Sequence, residues 1–359
     1  MFIKSLSLKN YRNYESEVFN FGSGINILVG DNAQGKTNCA EAVFYLCTGY
    51  SPRAVRDKQV IKYGEKSASV VGKCESRYGS IEVAIEFTPS QKLITLNGVP
   101  IKKIGELMGN INSVFFNPGE LKLIQQSPED RRRFLDISLS QMDRQYFYTL
   151  QKYRKILEQR NDLLKNPDRE VVYETLPLWD SELASCAIEI IQKRKEFIDK
   201  LIPHAKEFHS FVTGGEELEL SLETPYYSGS SKEELISAYA EKVEKDLILG
   251  YTTVGPHRDD IKIKVNGEDV RVFGSQGQQR TTAISLKLAE LEVFNERFNE
   301  YPILILDDAL SELDGKRRAK LIEKLKNFQT IITLTELPKE LENIDGANVI
   351  RVSNGKIKE

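Results

Sequence analysis

A phosphate-loop pattern, G-x-x-x-x-G-K-T, occupies residues 30–37 and constrains the fold of this chain more than any other feature. The apolar run INILV precedes it and apolar residues at helical spacing follow it, so the loop joins a strand to a helix. In that setting backbone N–H groups and the helix N-terminus face phosphate oxygens. We expect Lys36 to contact the β- and γ-phosphates of a nucleotide and the Thr37 hydroxyl to bind Mg²⁺. The expected phosphate-loop contacts are Gly30, Asp31, Asn32, Ala33, Gln34, Gly35, Lys36, Thr37 and Asn38.

A second apolar run, ILILDD at residues 303–308, ends in two adjacent acids. A strand that ends in aspartate is common, but beside a phosphate loop it is the expected second half of a nucleotide site. We expect Asp307 to hold the Mg²⁺ ion and Asp308 to polarise the attacking water. An alternative role for Asp308, in which it only caps a turn, stays open on the sequence alone.

A Gly- and Gln-rich turn, GSQGQ at residues 274–278, precedes a predicted helix that runs from about residue 278 to residue 298. Its serine can present a hydroxyl, backbone N–H groups and a helix N-terminus to a γ-phosphate. Kinases and small GTPases have no use for a second anion site this far along the chain. We therefore expect Ser275 to act in catalysis together with Lys36 and Asp308, and Gly277 and Gln278 to contact the nucleotide.

The three motifs together resemble those of the ABC-type ATPase heads of SMC-like DNA-repair proteins, with residues 311–314 at the position of the D-loop. Other segments resemble the RecF family in particular, and they run from the first predicted strand to the last quarter of the chain. These segments are LKNYRNY from residue 8, SPEDRRRFLD from residue 127, GPHRDD from residue 255, FGSQGQQRT from residue 273 and LDDALSELD from residue 306. The phosphate loop is shared by many proteins, but the combination is specific to this family.

The resemblance implies an ATP-switched DNA-binding protein with ATP and Mg²⁺ as cofactors. In the RecF family ATP lies between two subunits of an ATP-dependent homodimer, here between Lys36 of one protomer and the partner subunit's Ser275. Members bind duplex DNA beside single-stranded gaps and work with RecR and RecO to place RecA on the gap. By the same resemblance Arg12 is a candidate nucleotide contact.

Three positions depart from the general ABC pattern. The second acid after the strand is Asp308 where most ABC proteins have glutamate, and a side chain one methylene shorter predicts slow hydrolysis. The position expected to carry the Q-loop glutamine falls near Asn117. The switch histidine is missing after the last strand, where ITLT ends at Thr335, a weak candidate for sensing the γ-phosphate.

The expected fold class is α/β: an ABC-ATPase head with a mixed sheet around the phosphate loop and an antiparallel β subdomain, plus an inserted α-helical domain. The ATPase domain is expected at residues 1–125 and 246–359, and a helical hairpin at 126–245. Apolar seams at helical spacing over 146–164 and 183–208 predict its two arms, separated by Pro167 and Pro177. Each arm would reach at most about 50 Å at 1.5 Å per residue. The Pro-, Gly- and Ser-rich stretch 225–231 predicts a loop.

The net charge of −3 gives no global basic field, so any DNA site must be a local patch. Basic clusters occur in the predicted helices of the middle zone and after the first helix. The candidate DNA contacts are Arg131, Arg132, Arg133, Lys193, Arg194, Lys195, Arg53 and Arg56. Two other interpretations stay open: that such runs are solvated helix faces, and that the three consecutive arginines join the hairpin to the ATPase domain.

Other functions compete with a DNA-repair ATPase. An ATPase subunit of a membrane transporter is the main alternative, but the missing switch histidine and the RecF-like segments disfavour it. A structural SMC-type head is disfavoured by the short hairpin, and a metabolic phosphate-loop kinase leaves residues 274–278 unexplained. No apolar stretch approaches the roughly 20 residues that cross a bilayer. We therefore expect a cytoplasmic protein that has no membrane partner.

Overall fold

The computed structural model describes residues 1–54, 56–224, 231–310, 314–338, 341, 344 and 346–358. Its strands are β1 Phe2–Tyr11, β2 Tyr14–Asn20, β3 Ile25–Val29, β4 Ala68–Ser76, β5 Gly79–Phe87, β6 Lys92–Leu96, β7 Val99–Pro100, β8 Ser113–Phe116, β9 Leu218–Glu223, β10 Asp260–Val265, β11 Glu268–Asp269, β12 Ile303–Asp307, β13 Thr330–Leu334, β14 Asn348–Ser353 and β15 Lys356–Lys358. Its helices are α1 Lys36–Thr48, α2 Lys122–Gln125, α3 Pro128–Met142, α4 Arg144–Leu164, α5 Arg169–Thr213, α6 Lys232–Leu249, α7 Val270–Phe273, α8 Gln276–Phe298 and α9 Gly315–Lys324. Most of the predicted loop at 225–231 and of the D-loop segment at 311–314 lies outside the described residues.

The central sheet has the strand order β15-β14-β3-β13-β12-β8 and is parallel except at the β15 edge. β3 and β12 are mainly apolar and buried because both faces of the sheet are covered there, as the runs INILV and ILILD predicted. β13 lies between β3 and β12, and Thr333 is in register with Leu28 on one side and with Asp307 on the other. The carboxyl ends of these three strands therefore meet at one edge, which brings the phosphate loop and the paired acids together.

A second, antiparallel sheet covers the other side of α1. Its order is β2-β1-β4-β5-β6-β7, which confirms the expected antiparallel β subdomain. Asn97 and Gly98 both have positive φ, as the tight turn between β6 and β7 requires. α1 is buried on nearly every face, and its Cys39 and Cys47 are core thiols. The helix that carries the phosphate loop is thus fixed between two sheets.

The two apolar seams of the middle zone lie on α4 and α5, which pack against each other. One expectation about them is wrong: Pro177 does not separate the arms, because it lies inside α5, as does Pro203. Both prolines are exposed, so their rings lie on the solvent side of the helix. α5 has 45 residues, about 68 Å at 1.5 Å per residue, which is longer than either predicted arm. Among the described helices, none combines the length and apolar character needed to cross a membrane.

A third, small sheet joins the middle zone to the rest of the chain. β9 lies within residues 126–245 and pairs antiparallel with β10, which in turn pairs with β11. The helical hairpin expected at 126–245 therefore does not account for β9, whose pairing partner β10 lies beyond residue 245. The division of the chain at that boundary stays a prediction.

Candidate nucleotide-binding site

The phosphate loop is tightly enclosed by neighbouring backbone. A Cβ added at Gly30 would lie 2.1 Å from the carbonyl oxygen of Val352 on β14, so only glycine fits. Gly35 has a φ of +121°, a conformation that side chains strongly disfavour, and its Cβ would lie 2.7 Å from the Tyr14 hydroxyl. The loop borders a cavity of about 260 Å³. The residues lining that cavity are Asn32, Ala33, Gln34, Gly35, Lys36, Thr37, Asn38, Arg53, Asp308, Thr333 and Thr335.

Lys36 lies inside the loop rather than in solvent. Its Nζ donates to the carbonyl oxygens of Gly30 and Asp31, at 2.5 Å and 2.7 Å. Burial lowers the pKa of Lys36, and the carboxylates of Asp308 and Asp307 oppose that shift. An ammonium held here by two carbonyls is positioned to bond to phosphate oxygens that enter the same cavity.

The proposed Mg²⁺ ligands are adjacent. The Thr37 hydroxyl donates to Oδ1 of Asp307 at 2.8 Å, and the Thr333 hydroxyl donates to the same oxygen at 2.7 Å. Burial raises the pKa of Asp307, against the two hydroxyl hydrogen bonds. A hydroxyl and a carboxylate side by side are hard oxygen donors and fit Mg²⁺, which also takes phosphate oxygens and waters. Thr37 and Asp307 are the residues that would hold the ion, whose charge would neutralise that of the phosphates.

Asp308 is held in an unusual backbone conformation. Its φ is +54°, uncommon for a residue with a side chain. Its N–H is fixed by β13, donating to the hydroxyl of Thr333 at 3.0 Å and to the carbonyl of Thr333 at 3.3 Å. Asp308 lines the phosphate cavity, whereas the cap of the next helix, α9, is Asp314. The arrangement places a carboxylate where it can bond to water beside the phosphates, and so disfavours the turn-capping alternative.

Two distant turns support the loop from behind. Asn13, in the turn between β1 and β2, donates to the carbonyl of Gln34 at 2.9 Å and accepts from Asn38 at 2.8 Å. In the turn between β14 and β15, the N–H of Asn354 donates to Oε1 of Gln34 and that of Gly355 to its carbonyl, at 2.5 Å and 3.0 Å. Sequence reasoning missed Asn354 and Gly355, because their Asn-Gly pair marks only a hairpin turn and some 320 residues separate them from the loop.

Two arginines predicted to contact ligands, Arg12 and Arg53, form ion pairs with a glutamate on α1. Glu41 is fully buried and pairs with Nη2 of Arg12 at 2.7 Å and with Nη2 of Arg53 at 2.6 Å. Burial would raise the pKa of Glu41, but these guanidinium groups and the Ser51 hydroxyl hold it below its usual value. Arg53, predicted to contact DNA, instead lines the phosphate cavity and also bonds to Asn38. Arg12, predicted to contact the nucleotide, is not among the residues lining that cavity.

The Gly- and Gln-rich turn lies elsewhere. Ser275 caps α8: its hydroxyl accepts from the N–H of Gln278 at 3.2 Å, and Gln278 Oε1 accepts from the N–H of Ser275 at 3.0 Å. Gln278 also donates to Glu216 at 3.1 Å. Ser275 is exposed, and none of Ser275, Gly277 and Gln278 belongs to the residues lining the phosphate cavity. Within one chain the structure does not bring the two predicted halves of the site together.

Comparison with known proteins decides the family. A sequence profile described as the RecF/RecN/SMC N terminal domain matches residues 2–357. The DNA replication and repair protein RecF of Clostridium acetobutylicum is 40% identical over the full length of both chains. That of Ruminiclostridium cellulolyticum is 42% identical over 93% of each chain. The chain belongs to the RecF family.

Solved structures agree with this membership. The recombination mediator protein RecF-ATP in the RecFOR pathway superposes on the RecF-family chain with a TM-score of 0.90 at 32% identity, covering 99% of this chain and 97% of that one. An Smc head domain from Pyrococcus furiosus has a TM-score of 0.59 at 18% identity and covers 99% and 95%. The second likeness concerns the fold alone. The predicted ABC-ATPase head is therefore confirmed as the fold of this RecF-family chain.

Two of the basic residues predicted to contact DNA are buried in this RecF-family chain. Arg131 is 3% exposed and paired with Asp260 at 2.5 Å. Arg194 is 2% exposed and pairs with Asp136 and Asp259, each at 2.8 Å. The prediction of DNA contacts at Arg131 and Arg194 is wrong for this conformation, because helix packing turns both side chains inward. Arg131 instead joins α3 to β10, as the structural interpretation of the arginine run held.

The remaining basic candidates divide into two groups. Arg132 is half-buried and donates to the carbonyl of Asp259 at 2.7 Å, and Lys193 pairs with Asp143 at 3.0 Å. The exposed candidates are Arg56, Arg133 and Lys195. DNA contacts at these exposed positions stay predictions.

Proposed function

We propose that this RecF-family chain is an ATP-switched DNA-repair protein whose nucleotide site is completed by a second copy of the chain. The observation that carries the proposal is the separation of the site into two parts. Lys36, Thr37 and Asp308 line one cavity and Asp307 is bonded to Thr37, whereas Ser275 presents the N-terminus of α8 to solvent. Two anion-binding helix ends can act on one triphosphate only if a partner supplies the second. ATP would then be the ligand that joins the two protomers.

In this proposal each residue of the cavity has a distinct role. Lys36 and the backbone of the phosphate loop bind the β- and γ-phosphates, and Thr37 with Asp307 holds Mg²⁺. Asp308 orients the attacking water from a backbone position fixed by Thr333. Because aspartate reaches one methylene less far than glutamate, hydrolysis is slow, and loss of the γ-phosphate releases the dimer.

The DNA-binding part of the proposal rests on the family and on exposed basic side chains. Relatives carry the name DNA replication and repair protein, and a structural neighbour is a recombination mediator of the RecFOR pathway. We propose that the ATP-bound dimer binds duplex DNA beside single-stranded gaps and works with RecR and RecO to load RecA, in the cytoplasm. Contacts to phosphates from Arg56, Arg133 and Lys195 would be independent of sequence and weaken with salt.

Sedimentation velocity with Mg²⁺ and ATP tests the shared nucleotide. The wild-type chain is expected to shift from monomer to dimer with ATP, and Ser275→Arg to remain a monomer while it still binds ATP. Ser231→Arg is the matched control, because Ser231 is also an exposed helix cap, at the start of α6. A wild-type mass that ignores ATP would rule out the shared site, and dimerisation of Ser275→Arg would remove Ser275 from it.

DNA binding is tested separately, by fluorescence anisotropy with a gapped duplex at several salt concentrations. ATP is expected to raise the affinity of the wild-type chain, and salt to lower it. Ser275→Arg is expected to lose the ATP effect while keeping the weak binding seen without ATP. Equal affinity with and without ATP would separate DNA binding from the proposed switch.

A further inference from the structure

A cavity of about 700 Å³ lies apart from the phosphate cavity and shares no lining residue with it. Its walls come from the end of α1, the turn after β7, the helices α3, α4 and α5, and the segment at 256–257. The volume falls in the range of sites that enclose a ligand or a short peptide segment. Of the residues given a role in the proposed function, Arg133, a proposed DNA contact, lies in its wall.

The floor of this cavity is a built network of buried polar groups. Arg194 pairs with Asp136 and Asp259, and the Tyr146 hydroxyl donates to Asp136 at 2.6 Å. Beside them the neutral imidazole of His257 accepts from the Tyr153 hydroxyl and donates to the carbonyl of Thr252, which fixes its tautomer. Burial lowers the pKa of His257 to about 4, so it carries no charge at neutral pH. The floor is therefore rigid, and its charges are already compensated.

The mouth of the cavity, by contrast, carries guanidinium groups with donors to spare. Nη2 of Arg154 donates to Asp136 at 3.0 Å, and the Arg154 side chain is 58% exposed. Arg133 is exposed and forms no ion pair within the described part of the chain. Arg132 donates Nη1 to a backbone carbonyl. Lys92 and Arg194 also line the cavity but are paired with Asp57 and Asp259, so the guanidinium groups left to meet a ligand are those of Arg132, Arg133 and Arg154.

The rest of the wall is apolar. Ile104 and Met108 face Phe147, Leu150 and Leu157 across the cavity. Met108 is a flexible side chain that can adapt to the shape of an inserted group. A ligand that fits must therefore combine an apolar body with negative charge.

Several features favour carboxylates over phosphates as that charge. Two helix ends border the cavity, the C-terminus of α1 and the N-terminus of α3, and Glu129 and Asp130 already lie in the first turn of α3 and in the cavity wall. These acids compensate the helix dipole and repel a doubly charged phosphate. A DNA duplex is too wide to enter a cavity of this volume. Single carboxylates on an extended chain can pair with the guanidinium groups while an aromatic or aliphatic side chain fills the apolar wall.

We propose that this cavity is a docking site for a short acidic peptide segment of a partner protein, anchored by a large apolar side chain. Its carboxylates pair with Arg154 and Arg133 at the mouth, and its anchor packs against Met108, Phe147 and Leu157. The segment would contact residues 48–108 and the helices α3, α4 and α5 at once, because both parts of the chain supply walls of the cavity.

Selection from a phage-displayed library of random peptides on the full chain tests the proposal. Enriched peptides are expected to combine acids with an aromatic or large aliphatic residue. For a synthetic consensus peptide, Arg154→Ala is expected to weaken binding about tenfold in anisotropy, and amide replacement of the peptide's acids to do the same. Lys152→Ala is the matched control, because Lys152 is also on α4, ion-paired and 58% exposed, but is not a lining residue.

Three outcomes would overturn the proposal. The first is a selection that enriches no acidic peptide. The second is a consensus peptide that binds wild type, Arg154→Ala and Lys152→Ala equally, which would place it elsewhere on the surface. The third is displacement of the peptide by inorganic phosphate at equal charge concentration, which would make the cavity a phosphate site. Melting curves of both variants test whether unfolding causes a loss of binding. Arg154→Ala is expected to stay folded, because Asp136 remains paired with Arg194.

Discussion

The phosphate loop and the Gly- and Gln-rich turn are both anion-binding helix starts, but the chain treats them differently. The loop before α1 is enclosed by two sheets and held by turns from both ends of the chain. The turn before α8 is exposed, and the hydroxyl and N–H of Ser275 are bonded only to its own helix through Gln278. Beside it Val272 and Phe273 are 60% and 69% exposed.

This difference indicates where each region performs its function. A loop whose shape is fixed by its own chain can bind phosphate as a monomer. A turn that is exposed and self-capped has its donors ready for a ligand that another molecule brings. Substitutions in the loop should therefore weaken nucleotide binding and, with it, association, whereas substitutions in the turn should weaken association alone.

The largest expected effect comes from the enclosed region. Lys36→Met removes the ammonium from the loop, and we expect ATP affinity to fall about 100-fold, measured by calorimetry with Mg²⁺. Dimerisation should be lost with it. Lys4→Met is the control, because Lys4 is an exposed, ion-paired lysine on β1. If Lys36→Met binds ATP as wild type does, the carbonyl bonds of Lys36 serve the loop alone.

The second prediction concerns the exposed region. A Cβ at Gly274 would lie 2.4 Å from the carbonyl of Val270, so Gly274→Ala must displace the turn. We expect ATP-dependent dimerisation to weaken about tenfold while the monomer binds ATP normally. Gly24→Ala is the control, since a Cβ there meets nothing within 4 Å. Loss of monomer ATP affinity in Gly274→Ala would contradict the separation of the two regions.

A third, smaller effect tests how the enclosed region is supported. The Thr333 hydroxyl bonds to both Asp307 and Asp308, and Thr333→Val removes it with little change in volume. We expect ATP hydrolysis to fall several-fold, as loss of about 1 kcal/mol implies. Thr330→Val on the same strand is the control, because the buried Thr330 hydroxyl has no hydrogen-bond partner among the described residues. Equal effects of the two substitutions would mean that β13 is being disturbed as a whole.

The smallest expected effect is on folding stability and concerns the half-buried His257. The pKa of His257 is lowered by burial to about 4 from an ordinary 6.5, so only the unfolded chain takes up its proton as the pH falls through this range. Its contribution to stability is complete above pH 6.5 and is lost towards pH 4. Burial raises the pKa of neighbouring Asp259 to about 6, which acts in the opposite direction.

The measurement is therefore a comparison between wild type and His257→Gln. Chemical denaturation at pH 7 and pH 4.5 should show that wild type loses more stability than His257→Gln over this interval. Equal losses would mean that His257 is not neutral in the folded chain. His257 does not line the phosphate cavity and is not part of the turn before α8. Any change in nucleotide affinity or dimerisation in His257→Gln should therefore follow from a change in folding stability.

The sequence alone determined those features of this protein that depend on residues adjacent along the chain. The phosphate loop, the acids after β12, the helix starts and the apolar seams each occupy a short stretch whose backbone geometry is set locally. The RecF family could be recognised for the same reason. The adjacency of Thr37 and Asp307 followed as well, because parallel strands end at a common edge.

Tertiary structure decided what depends on distant partners. The order of the central sheet placed Thr333 between the two acids, and the turn between β14 and β15 brought Asn354 to Gln34. Packing of α3 and α5 buried Arg131 and Arg194, which the sequence showed only as members of basic runs. A charge carries no sign of its burial in the sequence, because its partner lies tens or hundreds of residues away and only the folded chain sets the distance between them.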